Sequence, residues 1–275
     1  SLDSYVSVLM MENKVVTKKV LERAGISVPG GYEYTSPEAG MADYRMYAGK
    51  PVVIKPKSTN FGLGITILKH NYDETDFKGA LQIAFEHDNT LLIEKFIPGR
   101  EFRIFIINDE VVGILHRVPA NVTGDGVLNI GQLIDRKNED PLRGKGYRTP
   151  LEKIRKGREE EMFLKQQGMD FNTVPKEGEV VYLRENSNIS TGGDSIDFTD
   201  DIDDSYKAIA VEAAKALNVK ITGLDMMIQD IHAPATPDNY AIIEMNFNPA
   251  IHIHCYPFKG KNRHLNHKMI RALGF

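Results

Sequence analysis

The chain has 275 residues, 41% of them hydrophobic, so it can bury a substantial core in one large domain or two linked ones. Its net charge of −4 gives no basic surface for nucleic acid, and no apolar run reaches the roughly 20 residues of a membrane span. The single cysteine, Cys255, excludes an internal disulfide framework, and the first residues lack a signal-peptide pattern. We therefore expect a soluble, cytoplasmic protein that binds neither nucleic acid nor membranes.

The first predicted unit is small. A helix is predicted over residues 12–24, where apolar side chains recur at helical spacing and Gly25 ends the pattern. A turn-rich connector completes residues 1–30. Three short strands follow at residues 51–55, 64–68 and 91–96, with a helix at 75–86, and Pro98-Gly99 marks a hinge or turn. Residues 31–98 therefore read as a small α/β subdomain.

Residues 99–275 predict a second, larger α+β subdomain. A hairpin is predicted around Asn108-Asp109, and a polar, charged segment at about 131–178 is interpreted as a helical insertion. A helix at about 205–217 and two final strands, around Asp225 and Glu244, complete the unit. The predicted fold class is α+β with two subdomains.

The last strand, residues 241–249, alternates between two kinds of side chain. The apolar side chains, which are predicted to enter the core, are Ile243, Met245 and Phe247. Glu244 and Asn246 then project together from the other face. A carboxylate beside a carboxamide forms an all-oxygen pair that Mg²⁺ accepts, and Asp225 could complete the site. The alternative for this strand alone is a half-buried edge strand with a polar face.

A glycine-rich loop follows the strand that ends at Lys55. Gly62 and Gly64 would let the backbone approach a ligand, but the order of a P-loop or a dinucleotide fingerprint is missing. A structural hairpin loop is the alternative. Beyond this loop, Glu101 and Arg103 share one face of a predicted strand, either as part of a nucleotide site or as a surface ion pair.

Two arginines stand where they could hold phosphate oxygens. Arg117 follows one predicted strand, and Arg184 leads from another into Gly192-Gly193, which we interpret as an anion-binding turn of backbone N–H groups. For each arginine the alternative is an ordinary salt bridge. For the glycine pair it is an ordinary turn.

Together these motifs resemble the ATP-grasp superfamily over nearly the whole chain. The pattern comprises VVIKP, NFGLGI, LIEKFIPGREFR, GLD and EMNFNP, in that order. The phrases RVPANVTGDG and RENSNISTGGDSID are similar to the glutathione synthetase half of the bifunctional glutamate–cysteine ligase/glutathione synthetase family. Cyanophycin synthetase is similar in several of these segments.

The resemblance implies an ATP-grasp fold whose two subdomains clasp ATP, and it implies a role for each matching residue. The ATP-binding residues would be Lys14, Lys55, Gly62, Gly64, Glu94, Lys95, Ile97 and Glu101, with Glu94 and Ile97 at the adenine and Glu101 at the ribose. Two Mg²⁺ or Mn²⁺ ions would be bound by Asp225, Glu244 and Asn246. Arg184, with Arg117, would hold an acyl-phosphate.

Two departures from the superfamily pattern affect this assignment. Many ATP-grasp ligases carry an arginine two residues before the metal-binding aspartate, and here that position is Gly223. The narrower resemblance implies that Arg184 takes its place. The chain also begins almost at the first nucleotide-binding helix, from which we expect it to be the C-terminal module of a longer polypeptide.

The implied activity is an ATP-dependent carboxylate–amine ligase that joins γ-glutamylcysteine and glycine through an acyl-phosphate. The implied partner is an N-terminal glutamate–cysteine ligase module in the full-length chain. One alternative is a cyanophycin-synthetase-like peptide ligase. Another is a non-catalytic ATP-binding module, against which the intact Asp225, Glu244, Asn246 and Arg184 argue.

Overall fold

The computed structural model describes residues 2–59, 63–69 and 71–275. The helices are α1 (Tyr5–Glu12), α2 (Lys14–Arg23), α3 (Pro37–Ala42), α4 (Tyr44–Tyr47), α5 (Glu74–Phe85), α6 (Ile130–Lys137), α7 (Arg158–Gln166), α8 (Asp204–Ala216), α9 (His252–Cys255) and α10 (Leu265–Ala272). The strands are β1 (Gly31–Tyr34), β2 (Val52–Pro56), β3 (Thr66–Leu68), β4 (Leu91–Lys95), β5 (Arg100–Ile107), β6 (Glu110–Val118), β7 (Asn121–Thr123), β8 (Arg143–Gly144), β9 (Leu151–Glu152), β10 (Val180–Tyr182), β11 (Asp194–Asp197), β12 (Ile221–Ile228) and β13 (Tyr240–Asn246). Within these described stretches, none of the helices combines the length and the apolar character needed to cross a bilayer.

The N-terminal helix is divided at Asn13. The Asn13 side chain accepts hydrogen bonds from the backbone N–H groups of Val15 and Val16, so it caps the start of α2. The predicted helix over residues 12–24 is thus confirmed as α2, and α1 before it was not predicted. The cap places Lys14 in the first turn of α2.

A small antiparallel sheet has the strand order β1-β4-β2-β3, and α5 packs on it. Phe77 and Leu81 of α5 are fully buried against Ile54 and Ile93 of the sheet. Asp73 begins α5 with a capping box, which explains the sharp start of this helix. The predicted strands and helix are confirmed to within two residues. The limits of the small subdomain, residues 31–98, stay a prediction.

The larger sheet has the antiparallel order β11-β6-β5-β12-β13. One face buries Phe102, Ile104 and Met226 beneath α8. The predicted hairpin between β5 and β6 is confirmed, and Asn108 and Asp109 both adopt positive φ, at 49° and 64°, as a tight two-residue hairpin turn requires. On the opposite face α9 and α10 cover one end of the sheet, and polar side chains occupy the other.

A β-bulge interrupts the pairing of the two last strands. Asp225 lies opposite Glu244, whereas the next residue, Met226, lies opposite Ile242. Ile243 is therefore an extra residue on β13, and the alternation of side chains breaks at this point. The bulge sits immediately before Glu244 and sets the direction in which that carboxylate projects.

The bulge also changes which apolar residues of β13 are buried. Met245 enters the core as predicted, but its partner there is Ile242. Ile243 is only half-buried, and Phe247, beyond the end of the strand, is 38% exposed. The prediction that Ile243 and Phe247 enter the core was wrong, because strict alternation applies only to an uninterrupted strand.

The segment at about 131–178 is less helical than its composition suggested. It contains α6 and α7, separated by loops and by the two-residue parallel strands β8 and β9. Pro141, Gly144, Gly146 and Pro150 lie between the helices, where proline and glycine disfavour a continuous helix. The two helices share a small core with the β7–β10 pair.

Candidate active site

Two lysines hold the Glu94 carboxylate where α2 meets the small sheet. Glu94, on β4, is only 4% exposed; the Nζ of Lys55 lies 2.8 Å from Glu94 Oε2, and Lys18 pairs with Oε1. Burial raises the pKa of Glu94, but Lys55 and Lys18 outweigh it and hold that pKa below its usual value. The carboxylate therefore stays charged between two ammonium groups. Lys18 was not predicted, although it lies one helical turn after Lys14 on the same helix.

Lys14 lies between the glycine-rich loop and the last strand. Its Nζ donates to the carbonyl oxygen of Thr59 at 2.7 Å and lies 3.8 Å from Glu244 Oε1. Burial lowers the pKa of Lys14, while Glu244 opposes that shift. A cation at this point is placed between the loop and the predicted metal ligands.

Asp225 is buried at the centre of the larger sheet, beside Arg103 on β5 and Glu244 on β13. Arg103 binds it through two parallel bonds, Nε to Oδ1 at 2.5 Å and Nη2 to Oδ2 at 2.9 Å, and Arg117 Nη2 lies 3.2 Å from Oδ2. Burial raises the pKa of Asp225, but Arg103 and Arg117 hold it below its usual value. Asp225 is thus an ionised, buried carboxylate.

Arg103 is the main site residue whose role the sequence did not reveal. It is buried and pairs with Asp225, so the alternative of a surface ion pair with Glu101 was wrong. A Cβ placed at Gly223 would lie only 3.2 Å from Arg103 Cδ. Arg103 therefore fills the space beside the glycine that replaces the superfamily arginine. The signal in the sequence was the shared strand face of Glu101 and Arg103.

The predicted metal ligands lie together at the bulge. Glu244 is opposite Asp225 and Asn246 is opposite Gly223, so the three polar side chains share one face of adjoining strands. Asn246 Nδ2 is buried and has no hydrogen-bond partner among the described residues; as a donor it could bind an anionic oxygen, and the amide Oδ1 is the atom that could face a cation. In the described part of the chain no three His, Cys, Asp or Glu residues form a metal-type group. The two carboxylates and one carboxamide form a hard-oxygen set that fits Mg²⁺ or Mn²⁺.

Glu101 links Arg117 to the loop after β10. Its carboxylate pairs with Arg117, and the hydroxyl of Ser187 donates to Oε2 at 3.0 Å. Arg117 therefore contacts both Glu101 and Asp225. A ribose hydroxyl at Glu101 would have to share the carboxylate with these two partners.

Arg184 lies against α7. Its Nε donates to Glu160 Oε1 at 2.6 Å, and its Nη1 pairs with Glu159. No ion pair or hydrogen bond found among residues 2–59, 63–69 and 71–275 joins Arg184 to Asp225 or Arg117. The structure therefore brings Arg117, but not Arg184, to the carboxylates.

The Gly192-Gly193 turn already uses its own N–H groups. The N–H of Gly192 donates to the carbonyl of Ile189 at 3.1 Å, and that of Gly193 to the carbonyl of Asn188 at 3.2 Å. These two groups are not directed at a ligand, so the interpretation of the pair as an anion-binding turn was wrong. Gly192 is instead a left-handed residue, with φ of 94°, that ends a short 3₁₀ turn.

The remaining predicted nucleotide residues surround the small sheet. Gly64 has φ of 75°, and a Cβ there would lie 2.7 Å from Pro56 and His87, so only glycine fits. Lys95 ends β4 and Ile97 follows it towards the Pro98-Gly99 turn. Gly62 lies outside the described residues.

Two antiparallel sheets, clustered lysines and a paired carboxylate site are the arrangement expected from the resemblance to ATP-grasp proteins. Residues 11–136 match the family described as RimK-like ATP-grasp domain. The predicted α+β ATP-grasp fold is confirmed. A D-alanine–D-alanine ligase from Bacillus anthracis shares the fold, with a TM-score of 0.54 at 19% identity over 89% of this chain and 59% of that one.

Within the superfamily, the chain is similar to bifunctional glutathione synthetases, which confirms the narrower resemblance. It is 62% identical over 275 residues to the glutathione biosynthesis bifunctional protein GshAB of Desulfotalea psychrophila, covering 100% of this chain and 35% of the relative. The GshAB protein of Clostridium perfringens is 55% identical, covering 99% of this chain and 35% of the relative. A crystal structure of a bifunctional glutathione synthetase from Pasteurella multocida gives a TM-score of 0.76 at 48% identity, covering 99% of this chain and 38% of that one. The chain thus spans about a third of the length of the curated relatives it matches.

Proposed function

We propose that this chain is an ATP-dependent carboxylate–amine ligase that joins γ-glutamylcysteine to glycine, as the C-terminal module of a bifunctional glutathione-producing enzyme. The observation that carries the proposal is the convergence of Asp225, Glu244 and Asn246 with the buried Arg103 and the half-buried Arg117, next to Lys14, which contacts the glycine-rich loop. The identity to bifunctional glutathione synthetases supports the choice of substrates and of an N-terminal glutamate–cysteine ligase module.

The nucleotide would lie between the two sheets. Lys14 and Lys55, with Lys18 beside them, would contact the phosphates, and Gly62 and Gly64 would let the loop approach those phosphates closely. Adenine would lie at the end of β4, against Glu94, Lys95 and Ile97. Glu101 would bind the ribose in exchange for part of its contact with Arg117 and Ser187.

Asp225, Glu244 and Asn246 would hold two divalent cations, and the all-oxygen donor set favours Mg²⁺, with Mn²⁺ as a substitute. Bound there, the cations would supply charge stabilisation to the β- and γ-phosphate oxygens of ATP. Arg103 and Arg117 keep Asp225 ionised, and a cation bound there would share its two oxygens with these arginines or replace part of their contact. Among the residues that the structure describes, the cation paired with Glu244 is Lys14, whose Nζ lies 3.8 Å from Oε1.

The chemistry follows from the poor reactivity of a carboxylate. Transfer of the γ-phosphoryl group to the substrate carboxylate gives an acyl-phosphate and ADP, after which the amine attacks the acyl carbon and phosphate leaves. Arg117 would hold the transferring oxygens, together with Arg103, whose guanidinium already lies at Asp225. Arg184 would join them by exchanging its pairs with Glu159 and Glu160 for the acyl-phosphate.

The reaction requires protection from water, and the cysteine content bears on where the enzyme works. An acyl-phosphate hydrolyses readily, so closure of the glycine-rich loop over the site would protect the intermediate. The single, buried cysteine fits a reducing cytoplasm, where we place the enzyme.

The test is ADP release by the full-length parent, measured with Mg²⁺ and a panel of acids and amines. We expect γ-glutamylcysteine and glycine together to stimulate release far above either alone. Stimulation only by an aspartate-rich peptide acceptor would instead indicate a cyanophycin-synthetase-like ligase. Absence of stimulation by every pair would leave a nucleotide-binding module and reject ligase activity.

A further inference from the structure

Helix α1 is apolar on almost every side, yet only one of its sides is covered. Its sequence, YVSVLMME, contains a single charged residue, Glu12. The covered side carries Ser7 and Met11: the Ser7 hydroxyl donates to the carbonyl of Asn218 at 3.1 Å, and Met11 packs in the core of the larger sheet. A helix that is apolar all round is normally buried all round, so the other side of α1 lacks a partner.

The uncovered side forms a continuous apolar surface, which we call the α1 stripe. It consists of Tyr5, Val6 and Leu9 of α1, at helical spacings of three and four, together with the exposed Leu2 just before the helix. Tyr5 is 75% exposed and Val6 is 64% exposed. Single exposed apolar residues are common on protein surfaces, but an adjacent group of them on one helix face marks an interaction site.

We propose that the α1 stripe is the docking surface for the part of the full-length protein that precedes this chain. The proposal rests on the proposed function, because it requires the bifunctional organisation of the relatives. In those relatives the region matching this chain is the C-terminal part and accounts for only 35% of the length. In the proposed full-length protein, the preceding polypeptide would enter within a few residues of Leu2.

Covalent attachment makes this preceding module the favoured occupant. A tethered surface is present at an effective concentration in the millimolar range for a short flexible linker, far above the concentration of a free second copy. The α1 stripe carries no charge, so the complementary surface must be apolar, with aliphatic or aromatic side chains and no unpaired charge at its centre. The α1 stripe would form the apolar centre of the contact between the two modules.

The test measures how fast a cysteine in the α1 stripe reacts in the full-length protein. Val6→Cys places a small thiol in the stripe, and Lys19→Cys places one on the exposed surface of the neighbouring helix α2. Neither position is buried, so the substitutions should not disturb folding. The native Cys255 is buried and should not compete for the label. Maleimide labelling, read at each position by peptide mass spectrometry, should be at least ten-fold slower at Val6→Cys than at Lys19→Cys. Comparable rates would overturn the proposal.

Dilution identifies the occupant. Protection by the preceding module is intramolecular and should persist over a hundred-fold dilution of the protein. Loss of protection on dilution would assign the α1 stripe to a second copy of the chain and overturn the proposal in this form. Labelling does not depend on turnover, so a protein that fails the ADP-release test but protects Val6→Cys would reject the ligase function and retain the docking surface.

Discussion

At the level of single residues, the site is organised by charge balance around two buried carboxylates. Asp225 is matched by Arg103 and Arg117, and Glu94 by Lys18 and Lys55. An unpaired buried charge is strongly unfavourable, so each carboxylate and its partners must be considered as one unit. Substituting a partner then tests stability and function together, whereas Glu244, which is less enclosed, allows the two to be separated.

Glu244→Gln should abolish most of the ligase activity without unfolding the protein. The side chain is about one-third exposed and lies in no core cluster, so its loss as an anion should leave the unfolding midpoint nearly unchanged. Turnover should fall by at least ~100-fold, because the amide is a much weaker cation ligand than the carboxylate. ADP release and thermal unfolding measure the two effects, and Glu212→Gln, on the exposed side of α8, is the matched control. Near-normal turnover would reduce Glu244 to an ordinary strand residue.

Lys18 should make nucleotide binding depend on pH. Burial lowers its pKa to about 8, with a further contribution from Lys55 and opposition from Glu94. A phosphate group favours the charged lysine, so affinity for a non-hydrolysable ATP analogue with Mg²⁺ should fall as the pH rises above about 8. Titration calorimetry between pH 7 and pH 9.5 measures this. Lys18→Arg, which stays charged throughout, should flatten the dependence; an equally steep fall in that variant would assign it to another group.

The same shift has a consequence for stability. The folded-state pKa of Lys18 lies below its unfolded value of 10.5, so the unfolded chain binds more protons between about pH 8 and pH 10.5. The contribution of Lys18 to the free energy of unfolding therefore rises with pH across that window. The carboxylates act at the other end of the scale. The lowered pKa values of Asp225 and Glu94 contribute stability above the unfolded carboxyl pKa, and this contribution is lost on acidification through their folded values.

At the level of elements, the insertion is attached to the larger sheet by a buried arginine. Arg143, on β8, donates to the carbonyls of Glu152 at 2.8 Å and Gly192 at 3.0 Å, and it pairs with Asp194 on β11. Lys137 of α6 reaches the same aspartate at 2.7 Å. Arg143 thus connects the insertion, the glycine turn and the edge of the larger sheet.

Arg143→Met should destabilise the protein by about 3 kcal/mol, at the lower end of the range for breaking a buried ion pair, because Lys137 remains beside Asp194. Urea unfolding measures the change. Arg136→Met is the matched control, since Arg136 immediately precedes Lys137 on α6 but lies outside the cluster and pairs with Asp125 in solvent. We expect that control to differ little from the parent. Equal losses in the two variants would mean that the buried cluster has no special role.

Arg184 tests whether the loop after β10 contributes to the chemistry. In the full-length enzyme, Arg184→Ala should leave ATP affinity within a few-fold but strongly depress acyl-phosphate formation, because the lost hydrogen bonds act in the transition state. Arg184→Lys should restore little, since a point charge does not reproduce bidentate contact. Equilibrium binding of ATP and single-turnover ADP formation separate the two effects. Unchanged turnover would restrict Arg184 to its ion pairs with α7.

At the level of the whole molecule, α2 is the element that both sheets share. Lys18 reaches Glu94 of the small sheet, while Lys14 reaches Thr59 of the loop and Glu244 of the larger sheet. The body of α2 packs on α8 and β13. A ligand bound by these lysines therefore contacts both sheets through one helix, which is the arrangement needed to couple nucleotide binding to closure.

Closure over the nucleotide should protect the glycine-rich loop from proteolysis. Trypsin cleavage after Lys57 should slow several-fold when Mg²⁺ and a non-hydrolysable ATP analogue are added, because binding stabilises the closed arrangement. Cleavage after Lys215, at the far end of α8, should not change and serves as the internal control. Equal slowing at both sites would indicate general stabilisation, and no slowing at Lys57 would contradict closure.

Much of this organisation could be predicted from the sequence, because it depends on patterns among neighbouring residues. Period-two alternation predicted the strand around Glu244, although a bulge interrupts it, and Asn108-Asp109 predicted the hairpin because few residues adopt positive φ twice in succession. These signals depend on residues that are neighbours in the sequence, so they do not depend on tertiary packing. The long motifs between Lys14 and Asn246 are also continuous stretches of sequence, and they indicated the ATP-grasp superfamily.

Other features depend on contacts between segments far apart in sequence. The bulge at Ile243, the pairing of Arg103 with Asp225 and the capture of Glu94 by Lys18 each join strands or helices separated by many residues. The N–H groups of Gly192 and Gly193 are likewise occupied by carbonyls that only the folded loop brings near. Local pattern determined most of the strands and helices that frame the site. The tertiary structure decided which charges meet, because burial and pairing are properties of the assembled sheets and not of any one strand.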